Sequence, residues 1–258
     1  MAKQQRFRTS KKLRVLLGVI AIILVGGLIF LFSYTYSVSG KIIDISNKQV
    51  VKGIKVSVGG KSRETDEQGS YKIKGIKIYQ KKNLKLDTPN QYEKVADIKL
   101  DFKSRNIQKD LELEPTLEEI VNRDLIAGKN GQYDYLWDLL HPDDRAYWGS
   151  KEEYLNTLKK RDDLYAEIKY TVKSATIGKN IRKLDTWKSE VTGKEYKEVM
   201  EVPEDYIMVD NGKEQPQTIL VYYQRIDGYY HYFTGVNKDE VKKWIEDYEK
   251  YKEALSSL

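Results

Sequence analysis

The sequence contains no cysteine and only two histidines, His141 and His231. The lack of cysteine excludes disulfides, thiolate metal sites, a cysteine nucleophile and a lipid-modified cysteine anchor. Motifs that carry chemistry are missing too. There is no zinc motif, no nucleophile elbow and no phosphate-cradling loop, since Gly26-Gly27 and Gly59-Gly60 lack the flanking pattern. Acidic residues are absent ahead of Val15, where Lys3, Arg6, Arg8, Lys11, Lys12 and Arg14 all stand.

The residues that follow are uncharged and mostly apolar up to Phe32, and the next charge is Lys41. At ~1.5 Å per residue, the roughly 20 residues from Leu13 to Phe32 reach across the ~30 Å of a bilayer's hydrocarbon. Only a helix satisfies its own backbone in that medium. Basic residues resist translocation, so the sequence predicts a cytoplasmic stub (1–12), a transmembrane helix (13–33) and an extracellular remainder. The expected localisation is the cell membrane, single-pass, in contact with lipid from Leu13 to Phe32. Tyr34 and Tyr36 then fall at the outer interface. A cleaved signal peptide is the rival reading, with Ser37 and Ser39 as a weak small-x-small pair. The run is longer than the 7–15 residues usual for a signal core. Phe32, Tyr34 and Tyr36 are also bulky ahead of the cut, which would clip a strand starting near Val38. Retention is favoured, and both readings export the chain.

The formal net charge of +6 is accounted for by the six residues ahead of Val15, leaving 39 basic against 39 acidic side chains. The overall basicity is therefore a topology signal, and no nucleic-acid partner is expected. Residues 38–113 carry 17 basic and 10 acidic side chains, and residues 114–258 carry 22 and 29. That step suggests two domains with the basic one next to the membrane. A basic face there could meet anionic headgroups or wall polymers; solubilising surface lysines are the plainer reading.

Residues 38–113 read as short strands with period-two alternation, at 38–45, 53–58, 70–76, 95–102 and 107–113. The pattern predicts a small antiparallel sandwich. Thr65-Asp66-Glu67-Gln68-Gly69 reads as a turn, with aspartate bonding backbone and glycine supplying positive φ. Val38-x-Gly40, Asp44, Val51-x-Gly53-x-x-Val56, Thr65-Asp66-x-x-Gly69-x-Tyr71 and Asp110-Leu111-x-Leu113 resemble the carboxypeptidase regulatory-like, transthyretin-like sandwich. That resemblance implies a seven-stranded spacer or binding module without chemistry of its own. The lysine-rich segment 79–92 departs from it and leaves strand pairing there open. Asp66 and Glu67 could form a calcium corner, but a solvated turn is favoured.

From Pro115 the pattern turns helical. Thr116 caps a helix with Leu117, Ile120, Val121 and Leu125 at helical spacing; Tyr133, Leu136, Trp137 and Leu140 mark a second; Ser150 caps a third to about Asp163. Strands are expected at 165–177 and 196–202. Hairpins are expected over 207–209, 218–226 and 229–234, about Asn211-Gly212 and Asp227-Gly228. Asn237 or Asp239 opens an amphipathic helix carrying Val241, Trp244, Ile245, Tyr248 and Tyr251. Helices before a sheet give an α+β order. Tyr135-x-Trp137-x-x-Leu140-His141-Pro142-Asp143-x-Arg145-x-x-Trp148 and the hairpins after it resemble the nuclear transport factor 2-like cone over 116–236, with residues 237–258 as an added C-terminal helix. That resemblance implies a sheet wrapped about a helix, leaving a pocket that some members use for catalysis and many for binding.

Three groups of residues are candidates. His141, Asp143 and Asp144 offer metal-ligand chemistry, yet they stand where one helix ends and another begins, and carbonyl satisfaction and capping are favoured. The Asp227-Gly228 turn sets Gln224 against His231 and Tyr222 against Phe233 on one face, and Tyr223 against Tyr232 on the other. Tyr222, Gln224, His231 and Phe233, with Trp137 and Trp148, are the candidate ligand or partner surface; ordinary cross-strand packing is the alternative. His231 is also a conceivable general base with Asp138 or Glu167, though no spacing forces such a pair. The expected function is a non-catalytic, membrane-anchored binding or scaffold protein of the cell envelope, without metal or cofactor. Its partners would be envelope proteins, wall polymers or a second copy. The alternatives are an assembly component of a secretion or conjugation channel, with Gly26-Gly27 and Trp244 as oligomer contacts, and a small-molecule isomerase or cyclase using His231.

Overall fold

The structure is a computed structural model that describes residues 11–101 and 103–256, without the side chains of 11–14, 30, 31, 255 and 256. Most of the basic stub lies outside the described residues. The chain divides into two compact units, one holding most of the residues up to Leu113 and the other 45–47, 90–93 and Glu114 onward.

Helix α1 (Lys11–Ser33) has no proline and no charge after Arg14. Twelve large apolar side chains between Val15 and Phe32 are exposed along it. Among the described residues, no helix is long and apolar enough to cross a membrane. The side chains described in α1 are 15–29, 32 and 33, which is shorter than the stretch the sequence marks for that role.

The rest of the first unit is β-structure. Its strands are β1 (Thr35–Asp44), β2 (Lys55–Val58), β3 (Lys61–Glu64), β4 (Ser70–Lys77), β5 (Asn83–Asp87), β6 (Ile98–Lys99), β7 (Asn106–Gln108) and β8 (Leu111–Leu113). One sheet runs β4-β1-β7 with β8 also on β1, and the other runs β3-β2-β5-β6. Alternation supplies the core: Tyr36, Val38 and Ile42 from β1, Val56 and Val58 from β2, Tyr71 and Ile73 from β4, and Leu84 from β5 are buried. At Gly75 (φ +73°) the register slips by one residue, so burial moves from Ile73 to Ile76.

Two expectations need correction and one open point is resolved. The sandwich is not purely antiparallel, because β7 and β8 run parallel to β1. The lysine-rich segment does hold a strand: Leu84 is buried and Leu86 pairs with Val56, a two-residue apolar alternation masked by lysines. The strand expected over 95–102 shrinks to Ile98–Lys99; Phe102 itself lies outside the described residues. Asp66 occupies the turn as expected. Its Oδ1 accepts from the amides of Gln68 (3.0 Å) and Ser70 (2.8 Å), while Glu67 pairs with Lys52 at 3.1 Å.

The second unit begins with α2 (Leu117–Lys129), α3 (Tyr133–Leu139), α4 (Pro142–Trp148) and α5 (Lys151–Glu167). Thr116 and Ser150 cap α2 and α5 through their side-chain oxygens. The strands are β9 (Tyr170–Ile177), β10 (Arg182–Lys188), β11 (Glu195–Asp210), β12 (Lys213–Ile226) and β13 (Tyr229–Phe233), and α6 (Lys238–Ser256) closes the chain. Helix α5 therefore runs through Tyr165, where a strand was expected. The two strands expected at 196–202 and 207–209 are one, and β10 was not foreseen. Strand β11 survives its proline because β9 and β10 share one of its edges in series. Pro203 stands at the changeover, lacking only an N–H, and its carbonyl accepts from Gly178 N at 2.7 Å. Asn211-Gly212 and Asp227-Gly228 all have positive φ, as tight hairpins require. The second turn sets the expected register, with Gln224 opposite His231 and Tyr222 opposite Phe233.

Helix α2 lays Ile120, Val121 and Leu125 on one sheet face, against Val202, Tyr223, Ala175, Met200 and Tyr206. The other face carries Tyr196, Val199 and Phe233 with Trp187 and Tyr222. Helix α6, capped by the Asn237 side chain, rests on α5 through Trp244 on Tyr165 (5.3 Å between centroids) and the Lys252–Glu167 pair at 2.8 Å. Tyr251 is 60% exposed and leaves the expected apolar stripe.

The tightest backbone approach in the first unit is at Gly40. A Cβ there would lie 1.9 Å from the Lys109 carbonyl oxygen, which already accepts from Tyr71 Oη at 2.6 Å. Gly40→Ala must separate β1 from residues 109–110, so we expect a loss of about 3 kcal/mol or more. Thermal unfolding of the chain reads this, and an unchanged transition for the first unit would contradict it.

Candidate functional site

Helix α2 carries Asp124 on its buried side, four residues after Ile120, because positions i and i+4 share a face. In β11 the alternation that points Met200, Val202 and Tyr206 at α2 points Glu204 there too. Strand β12 adds Tyr223. These elements converge on a chain of four polar side chains. Tyr206 Oη donates to Glu204 Oε2 at 2.6 Å, and Tyr223 Oη lies 3.1 Å from Glu204 Oε1 and 2.7 Å from Asp124 Oδ2.

A phenol has one proton. For both of Tyr223's contacts to be hydrogen bonds, one carboxyl must donate to its oxygen and therefore be protonated. Two ionised carboxylates so close would also repel one another with little solvent to screen them. Burial pushes the Asp124 carboxyl up to about 7, helped by the charge of Glu204 and opposed by the Tyr223 hydrogen bond. Burial likewise raises Glu204, against hydrogen bonds from Tyr206 and Tyr223. Glu204 is 2% exposed with both oxygens engaged. Asp124 is partly open, and among the described residues its Oδ1 takes no hydrogen bond.

That opening is a cavity of about 650 Å3, walled by Tyr154, Trp187, Tyr206, Tyr222, Tyr232 and Phe233 with Asp124 and Glu204. A second space of about 580 Å3 shares Asp124, Arg161, Tyr206 and Ile219 with it. The larger cavity exists because β13 pairs with β12 only over residues 222–226. The edge of β12 ahead of Tyr222 is left uncovered, with Ile219 and Leu220 exposed. The Tyr154 and Tyr232 hydroxyls bond to each other at 2.6 Å. Arg161 Nε donates to Asp162 Oδ1 at 2.8 Å, which neutralises the cation on that wall.

The structure distributes the candidate surface residues unevenly. Tyr222 and Phe233 line the cavity; Tyr222 stacks on Trp187 (4.4 Å) and Phe233 on His141 (4.2 Å). Gln224 does not line it: its Oε1 meets His141 Nε2 at 3.0 Å and its Nε2 donates to the Lys197 carbonyl at 2.9 Å. Trp148 is fully buried core, edge-on to Tyr154, and Trp137 packs on Tyr154 from 5.5 Å. His231 is 3% exposed with Nδ1 at 3.2 Å from the Leu139 carbonyl, and burial lowers its pKa to about 4. The carboxyls weighed as its partners are paired with lysines. Asp138 is 3.6 Å from Lys151, and Glu167 is held by Lys252.

His141, Asp143 and Asp144 are each committed separately. His141 Nδ1 accepts from Asp143 N at 3.2 Å, so Nε2 donates to Gln224. The histidine thus caps the start of α4, where the sequence suggested it would take up carbonyls at a helix end. Asp143 accepts from Lys194 (2.7 Å) and Tyr196 (2.8 Å), and Asp144 Oδ2 accepts from Thr234 N at 2.6 Å. Burial raises Asp144 to about 7. Among the described residues, no three metal-ligating side chains converge.

Sequence reasoning missed Asp124, Glu204 and Tyr206. The signal was present as a carboxylate within the apolar stripe of α2 and another in the inward register of β11.

No known family model and no curated protein matches the chain. Among solved structures it is similar to the pilus 2b backbone protein of group B streptococcus: 14% identity, TM-score 0.26, 32% of this chain and 42% of that one. It is also similar to BcpA, the major pilin subunit of Bacillus cereus (17%, 0.24, 32% and 30%). A third is a Bacteroides fragilis protein of unknown function, provisionally described as membrane-associated (13%, 0.24, 67% and 59%). The chain spans less than half of either pilin. Likenesses this slight carry no weight for the fold or the function of this protein.

Tyr223→Phe removes the hydroxyl that separates the carboxyls and is expected to cost about 1–3 kcal/mol, more at pH 8 than at pH 5. The Asp124 carboxyl makes stability depend on pH. Its folded-state pKa lies above the unfolded one, so between about pH 4 and 7 the folded form binds more protons and stability falls as pH rises. Asp124→Asn should flatten that fall. Chemical unfolding across this range measures it, and a difference from wild type that does not vary with pH would contradict the assignment.

Proposed function

We propose that this chain is a single-pass membrane protein of the cell envelope, with both folded units outside the membrane and a non-catalytic binding module in the second. The observation that carries this reading is α1. Its twelve exposed large apolar side chains follow six basic residues with no acidic one. At ~1.5–3 kcal/mol for each side chain taken out of water, an apolar medium is favoured by on the order of 20 kcal/mol. Positive charge ahead of such a segment sets it cytoplasm-first. The binding role is supported by the cavity, whose aromatic rings and apolar side chains are accompanied by a set of polar and charged groups that could orient a ligand. The histidine once weighed as a base lies buried away from that cavity, bonded to the Leu139 carbonyl.

Because the chain has no cysteine, single cysteines report topology without background. Lys213→Cys should react with a membrane-impermeant maleimide on intact cells, and Gln4→Cys only after lysis. Labelling of both only after lysis would remove the reading.

A second reading, an acid–base enzyme, is favoured by one observation: Asp124 faces the cavity with its carboxyl raised to about 7, the range suited to general acid–base work. Turnover of a small carbonyl or hydroxy compound, abolished in Asp124→Asn, would establish it.

A further inference from the structure

The cavity of the second unit combines three features. Its walls are rich in aromatic rings, it is lined by Asp124 and Glu204, which the buried Tyr223 joins, and the one arginine on its wall is already paired with Asp162. We propose that it takes an organic monocation, an ammonium with an apolar body, seated with its charge against Asp124 Oδ1 and its body along the tyrosine and tryptophan wall. The proposal rests on reading this unit as a binding module, and it names the class of ligand.

The charge selects the ligand. Glu190 also lines the cavity, so the wall repels anions. A divalent metal would need several converging oxygens; among the described residues no three metal-ligating side chains converge, and both oxygens of Glu204 are engaged. An ammonium needs only one carboxylate and gains from rings beside it.

The hydrogen-bonded chain lets Asp124 meet that demand. With the shared proton on Glu204, Glu204 donates to Tyr223, Tyr223 donates to Asp124, and the negative charge stands at the cavity. With the proton on Asp124, Tyr223 donates to Glu204 and the charge is buried. Two protons shift along existing hydrogen bonds, and none is gained or lost. A cation in the cavity selects the first arrangement. The titratable and charged groups on the elements about Asp124 are Lys129 from α2, Glu204 and Tyr206 from β11, Tyr223 from β12, Tyr232 from β13, Tyr154, Arg161, Asp162 and Tyr165 from α5, Tyr170 from β9, and Glu190 from the turn after β10. The pH response is carried by Asp124 and Glu204, the two carboxyls joined through Tyr223. Acidification that protonates both carboxyls removes the attraction.

The test is calorimetric titration of the full chain in nanodiscs with choline and with its uncharged isostere, 3,3-dimethylbutan-1-ol. Choline should bind at pH 7.5, at least about tenfold more tightly than the alcohol, and should weaken about tenfold or more by pH 5. Asp124→Asn should lose at least tenfold in choline affinity. Glu204→Gln imitates the protonated partner, so it should keep affinity at pH 7.5 and carry binding to lower pH. This second variant separates charge placement from damage to the fold. Equal binding of the alcohol, unchanged binding in Asp124→Asn, or no choline binding would overturn the proposal. Topology does not enter this measurement, so its failure is distinct from failure of the membrane reading.

Discussion

One phenol proton between two carboxyls is the constraint around which the second unit is organised. Tyr223 stands within hydrogen-bonding distance of both Asp124 and Glu204, and it can donate to only one of them. A second proton must therefore reside in the cluster, and the pair carries one negative charge where two would be expected. In a low-dielectric interior such a network is stable only when fully satisfied. Tyr206 completes it by donating to the remaining oxygen of Glu204, which leaves one oxygen without a hydrogen bond among the described residues, on Asp124, a residue that lines the cavity.

The fold supplies what this arrangement needs. Helix α2 brings Asp124 down on the same stripe as Ile120 and Val121, whose burial fixes its height above the sheet. Strand β11 stays continuous through Pro203, so Glu204 and Tyr206 keep the inward register set by Val202. The early end of β13 leaves the cavity its mouth along β12. The first unit has a different logic: close backbone approach at Gly40 and a glycine-permitted register slip at Gly75 shape its sheets.

Much of this was legible in the sequence. The alternation of β1, β2 and β4, the caps Thr116, Ser150 and Asn237, and the register about Asp227-Gly228 all follow from local chemistry, and the structure places them so. What local chemistry could not reveal was pairing at a distance. The parallel alignment of β7 and β8 with β1 leaves no mark in their own residues. Strand β5 was hidden because it is short and only Leu84 and Leu86 alternate with the polar Asn83, Lys85 and Asp87, and the joining of 195–210 into one strand was hidden because proline reads as a break. The site was missed for a related reason. Asp124 and Glu204 are 80 positions apart, and although each stands at an inward position of its own element, nothing local shows that they meet. His231, which the sequence offered as a conceivable base, is buried and is not among the residues that line the cavity.

The most direct test of this account is to count the protons in the cluster. Carbon-13 NMR of the side-chain carboxyls, assigned through Asp124→Asn and Glu204→Gln, follows each carboxyl through its own titration. The account predicts that one of the two remains protonated to near neutral pH and that Tyr223→Phe changes its midpoint. If both carboxyls finish ionising below about pH 5, as unperturbed groups do, no shared proton exists and the site loses its premise.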